Sequence, residues 1–133
     1  MRKTQWRRLT RATLFCLSAF GSMAFAEDDG RWIPDAATVN HVEELLRKTP
    51  LPKYGAVKAD SFDSYGRYYT GQTNAGRKQI FATFYSVDPK VWPPGMHIGS
   101  PHRMMTGGGC HQLLMLYDVA EDQIKQFVCY GLG

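Results

Sequence analysis

The amino-acid sequence predicts an α+β two-layer sandwich, and three observations predict it. An apolar stripe at helical spacing occurs once, early in the chain. Four short runs rich in β-branched and aromatic residues follow, separated by turn residues. Two cysteines, Cys110 and Cys129, then fall at the start of the third run and near the end of the fourth.

The first 26 residues read as a secretory signal peptide. MRKTQWRRLTR is a basic front, ATLFCLSAFGSMAF is apolar, and Ala24-Phe25-Ala26 is the small-x-small triplet that precedes cleavage. The apolar part falls short of the roughly 20 residues that span a bilayer, so it reads as an export signal and not an anchor. Residues 27–133 are then one small domain. Removing the signal removes Arg2, Lys3, Arg7, Arg8 and Arg11, five of the 16 basic residues and none of the 12 acidic ones. Eleven basic residues against twelve acidic ones leave a net charge of −1. The remaining positive charges are scattered, which argues against nucleic acid and anionic membrane as partners.

Cys16 leaves with the signal, so the exported chain holds two cysteines and one possible pairing, Cys110 with Cys129. Closing that loop stabilises by roughly 3 kcal/mol in the chain-entropy picture, a large share of the about 5–15 kcal/mol that holds a domain of this size.

Residues 27–34 are a polar lead-in. Asp35 caps a helix whose stripe is Val39, Val42, Leu45 and Leu46, with Glu43 and Glu44 directed elsewhere and Arg47-Lys48 at the negative dipole end. Pro50 and Pro52 stop it and open a connector over 50–64. The runs at 65–72, 78–87, 110–118 and 123–130 are the strands, with turns at 73–76 and 119–122, and a fifth strand is placed within 96–105. The expected arrangement is one N-terminal amphipathic helix packed on a curled antiparallel sheet of four to five strands, cystatin-like in layout. If Cys110 faces Cys129, strand alternation sends Leu114, Leu116, Phe127 and both cysteines to one face. Leu113, Met115, Tyr117, Ile124, Val128 and Tyr130 then take the other.

The segment GMHIGSPHRMMTGGGCH (95–111) offers thioether and imidazole groups, the ligands that select copper. Met96, His97, His102, Met104 and Met105 are the candidate soft-metal ligands. Their spacing matches no ligand motif that fixes a geometry, and the disulfide removes Cys110 as a thiolate. Enzyme readings find little support: there is no G-x-S-x-G turn, no Gly-Lys-Ser/Thr after the triple glycine, and no free thiol beside His111. Asp60, Asp63, Asp88 and Asp118 are acids in loops and at strand ends. No cofactor is implied.

The remaining chemistry is aromatic. Tyr65, Tyr68, Tyr69, Phe81, Phe84, Tyr85 and Trp92 crowd the middle of the chain, and alternation through Arg67-Tyr68-Tyr69 sends one tyrosine to each face. Aromatic anchors beside the loop Trp92-Pro93-Pro94-Gly95 suit protein or ligand binding. The candidate binding residues are Tyr68, Tyr85, Trp92 and Arg103.

At Gly108-Gly109-Cys110, Tyr117-Asp118 and Cys129-Tyr130-Gly131, and upstream at Arg67-Tyr68-Tyr69 and the strand containing Ile80, the chain resembles a group of small exported proteobacterial proteins with a C-terminal GGC…YD…C-x-G disulfide hairpin. Tyr130 stands where that group has asparagine. The resemblance implies the disulfide hairpin and a periplasmic location, and it brings no activity. The resulting expectation is a periplasmic or secreted non-enzymatic module that binds a protein or small ligand, an inhibitor or immunity-type protein among the options. The alternatives are a soft-metal (copper or zinc) binding periplasmic protein and a structural envelope protein.

Overall fold

The computed structural model describes residues 30–99 and 109–130. The expected signal peptide at 1–26 lies outside the described residues. Among those described, no helix is long and apolar enough to cross a membrane.

The chain runs β1 (Arg31–Trp32), α1 (Ala36–Arg47), β2 (Lys53–Tyr54), β3 (Val57–Lys58), a 3-10 turn (Phe62–Ser64), β4 (Gly66–Asn74), β5 (Arg77–Tyr85), β6 (Gly95–Ile98), a second 3-10 turn (Gly109–His111), β7 (Gln112–Asp118) and β8 (Gln123–Cys129). Helix α1 starts where the sequence predicts: Asp35 is the cap, and its carboxylate accepts from the Thr38 backbone N–H at 2.7 Å. The main sheet is α+β in the expected sense, with one helix on a mostly antiparallel sheet.

Its strand order is β1-β4-β5-β7-β8, and β6 also pairs with β4. That makes six strands where the sequence predicts four to five. The extra strand is β1, two residues within the polar lead-in, paired antiparallel to the end of β4. The fifth expected strand exists as β6 but pairs parallel to the start of β4, so two short strands share one long strand's edge. Trp32 of β1 can lie flat against β4 because Gly71 has no side chain: a Cβ there would sit 2.2 Å from the Trp32 ring.

The helix side of the sheet is the core. Val39, Val42 and Leu46 of α1 meet Tyr65, Tyr69, Ile80, Ala82, Phe84, Leu113, Met115 and Tyr117, all buried. Each such aliphatic side chain stabilises by about 1.5–3 kcal/mol relative to exposure. Glu43 joins this stripe instead of pointing to water. Arg67 Nε donates to its Oε1 at 2.7 Å, and the Tyr69 hydroxyl donates to the same oxygen at 3.0 Å. Arg67 also donates to the Phe62 and Tyr65 carbonyls. Its guanidinium lies 4.6 Å from the centre of the Phe62 ring, which the Arg47 guanidinium approaches at 4.5 Å. A buried ion pair holds when every donor and acceptor finds a partner, as this one does. Burial, followed by the Glu43 charge, pushes the Tyr69 hydroxyl well above its ordinary pKa.

The disulfide joins Cys110 to Cys129 as expected, but the hairpin faces do not follow strict alternation. Tyr117 pairs with Ile124 and Leu116 with Gln126, which leaves Lys125 without a partner in a β-bulge. The extra residue turns Phe127 and Cys129 onto the face of Leu113, Met115 and Tyr117, and sends Val128 to the side of Leu114. Cys110 reaches the same core because it sits in the 3-10 turn before β7, outside the alternation.

Candidate functional site

The face of the sheet away from the helix carries a cluster of four rings. Alternation in β4 and β5 places Tyr68 and Tyr85 there, opposite in direction to Tyr69 and Phe84. The parallel register sets His97 of β6 beside Tyr68, and the two rings stack at 4.5 Å with an 11° tilt. Trp92 stacks on Tyr85 at 4.2 Å and meets Tyr68 edge-on at 5.6 Å; Tyr68 and Tyr85 are themselves edge-on at 5.9 Å. Offset stacks and edge-to-face contacts are the favoured geometries of ring quadrupoles.

What brings Trp92 over the sheet is the close passage of its loop across β4. A Cβ at Gly66 would lie 2.7 Å from the Pro93 carbonyl oxygen and 3.0 Å from that of Trp92, so only glycine admits the loop at this height. The loop is then tied down from β6. His97 Nε2 is 2.9 Å from the Pro93 carbonyl oxygen, which can only accept, so Nε2 carries the proton and donates. Tyr85 and Tyr68 are 1% and 7% exposed and form the floor of the cluster, while Trp92 and His97 are half-buried and form its rim. Burial raises the Tyr68 hydroxyl pKa.

Beside Tyr85, on β7, stands Gln112, whose side lies opposite Leu113. Gln112 is fully buried, and neither its amide nitrogen nor its amide oxygen has a hydrogen-bond partner among the described residues. A buried carboxamide left bare costs about 1–3 kcal/mol per group, so it needs a reason.

Of the sequence-predicted binding residues, Tyr68, Tyr85 and Trp92 are therefore brought into one cluster, and Arg103 lies outside the described residues. Of the candidate metal ligands, His97 enters the ring cluster. Met96, its neighbour on β6, turns to the other side and packs against the core, so the two cannot face one ion. His102, Met104 and Met105 lie outside the described residues. Among those described, no three His, Cys, Asp or Glu side chains converge.

A second cluster escaped the sequence reading. Asp60 Oδ2 accepts from the Ser86 hydroxyl at 2.5 Å, and His111 Nδ1 lies 3.1 Å from the same oxygen and 3.2 Å from Ser86 Oγ. Ser, His and Asp are the residue types of a hydrolase triad, but the order of contact is different. A relay needs serine on one imidazole nitrogen and the carboxylate on the other. Here both meet Nδ1 and the serine proton goes to the carboxylate, so nothing withdraws it toward a nucleophile. The trio instead locks three chain segments together: the Ser86 backbone N–H donates to the His111 carbonyl, and the Asp60 backbone N–H donates to the Tyr65 hydroxyl, which donates to the Cys110 carbonyl. No motif spacing could reveal it, since its members are 25 to 51 residues apart.

An open groove of about 570 Å³ runs between the end of α1 and β8, lined by Leu45, Lys48, Thr49 and residues 122–127. At its end His41 Nε2 and the Tyr117 hydroxyl both meet Asp122 Oδ1, at 2.7 and 2.6 Å. The Tyr117 hydroxyl and then His41 hold the Asp122 carboxyl below its ordinary pKa. Burial and then Asp122 push the Tyr117 hydroxyl up to about 12.

Comparison with known protein families, with curated proteins and with solved structures finds no match to this chain.

Proposed function

We propose that this is an exported, non-enzymatic binding module that contacts a protein or small ligand through the far side of its sheet, with Trp92 and His97 as the rim and Tyr68 and Tyr85 as the floor. The observation that carries this reading is the convergence of the four rings from three strands and a loop. Gln112 supports it: a bare buried carboxamide beside Tyr85 is a group that a bound partner could satisfy. Rigid aromatic side chains lose little conformational entropy on binding, which is why they dominate binding anchors. An inhibitor or immunity-type role fits such a surface. Export belongs to the same proposal, supported by the N-terminal signal pattern and by a disulfide of the kind that persists in oxidising compartments. We also read the leading helix and wrapping sheet as a cystatin-like layout, modified by the parallel strand β6.

The test is capture from periplasmic extract on the immobilised protein. Wild type retains a partner, and Trp92→Ala and Tyr68→Ala each lose it. Retention of the same partner by both variants would place the contact surface elsewhere.

A further inference from the structure

The β2–β3 hairpin is built in a way the rest of the molecule is not. Its ladder sets Lys53 directly opposite Lys58 and Tyr54 opposite Val57, and all four residues are exposed. Tyr54 and Val57 are 53% and 57% exposed. Opposed side chains in an antiparallel pair have Cβ atoms about 4.5–5.5 Å apart, and like charges in that position destabilise. A lone two-stranded hairpin is marginal in water without an apolar face to bury. This one is held from outside the ladder by the Ala59 N–H donating to the Pro52 carbonyl at 3.1 Å and by the approach of Cys110 Sγ to the Val57 carbonyl oxygen at 3.6 Å. The disulfide region thus fixes in place a hairpin that its own charges oppose.

Elsewhere most of the described cations are answered. Arg47 pairs with Asp63, Arg67 with Glu43, Arg77 with Asp118 and Glu121, Lys125 with Glu121, and Lys78 lies over the Trp32 ring. Lys48 and Lys90 stand singly. Lys53 and Lys58 make no ion pair or hydrogen bond among the described residues, and they stand against each other on a domain whose expected net charge after export is −1. Two lysines opposed on one face of an exposed hairpin fit a partner that carries negative charge.

We propose that the β2–β3 hairpin is a docking element for an acidic segment of another protein, with Lys53 and Lys58 closing on its carboxylates. This surface is separate from the ring cluster, and its partner relieves the lysine–lysine repulsion on binding. Electrostatic docking of this kind raises the association rate and weakens with salt.

The experiment titrates the purified protein with a blocked hexaglutamate peptide at low salt, and in parallel with phosphatidylglycerol vesicles and a neutral hexaglutamine peptide. Binding of the glutamate peptide alone, lost on raising the salt, is the expected result. Lys58→Glu should weaken that binding by about tenfold or more, while the melting temperature stays at or above that of wild type, because an opposite-charge cross-strand pair replaces a like-charge one. Lys53→Gln should weaken the binding less, with the fold intact. Three results would overturn the proposal: no preference for the glutamate peptide over the glutamine one, equal binding by wild type and Lys58→Glu, or binding to the vesicles in preference to the peptide.

Discussion

The two faces of the sheet are finished differently. On the helix side the buried charges are answered: Arg67 places its donors on Glu43 and on the Phe62 and Tyr65 carbonyls, and Tyr69 closes the set, while the Trp32 Nε1 at the sheet edge has no hydrogen-bond partner among the described residues. On the far side two tyrosines are sealed beneath a tryptophan and a histidine that keep part of their surface in water, and neither amide atom of Gln112 is paired among the described residues. One face is closed around an answered ion pair, and the other keeps a buried carboxamide bare. Under the proposed function, that contrast separates residues that hold the domain together from residues that would meet a partner.

The contrast breaks most severely at Glu43. Glu43→Ala leaves the Arg67 guanidinium buried and uncompensated, and denaturant titration should show a loss of about 3–5 kcal/mol. A loss within a few tenths of a kcal/mol would mean the helix side is not organised around this pair. On the far side, Trp92→Ala removes two ring contacts worth about 0.5–1.5 kcal/mol each, so stability should fall by roughly 1–3 kcal/mol while partner capture is lost. Equal damage from both variants would erase the distinction. The smallest expected effect is alkaline. A folded-state pKa of about 12 for Tyr117, against an ordinary value of 10.0, means that the unfolded chain ionises first. Stability is therefore full below about pH 10 and declines as pH rises toward about 12. Tyr117→Phe should flatten part of that decline in pH-dependent denaturation. The remainder persists because burial also raises the Tyr69 hydroxyl. An unchanged profile would remove Tyr117 from the account.

Local signals were legible in the sequence, and non-local ones were not. The helix declares itself through its stripe and Asp35. The four long strands lie close to where residue type and turn residues place them, with β7 beginning two residues after Cys110. Strands β1, β2 and β3 are two residues long and carry no period to read. The parallel pairing of β6 depends on a loop crossing Gly66, which no spacing within 95–98 encodes. Glu43 looks like a surface acid until Arg67, 24 residues later, turns out to be its partner. The bulge at Lys125 defeats an argument from alternation, because one unpaired residue reverses every assignment beyond it. The site shows the same division. Tyr68, Tyr85 and Trp92 could be chosen as residue types, but their mutual stacking could not. His97, singled out as a metal ligand, is a stacked ring that donates to Pro93.

The central claim is that the rim of the ring cluster is where a partner sits, and Trp92 can report on it directly. In a chain that starts at Glu27, without Trp6, Trp32 is the other tryptophan, so Trp32→Phe isolates the fluorescence of Trp92. Titrating this variant with the captured partner should shift the Trp92 emission to shorter wavelength as the half-buried ring loses its water. An emission spectrum unchanged at saturating partner would contradict the account.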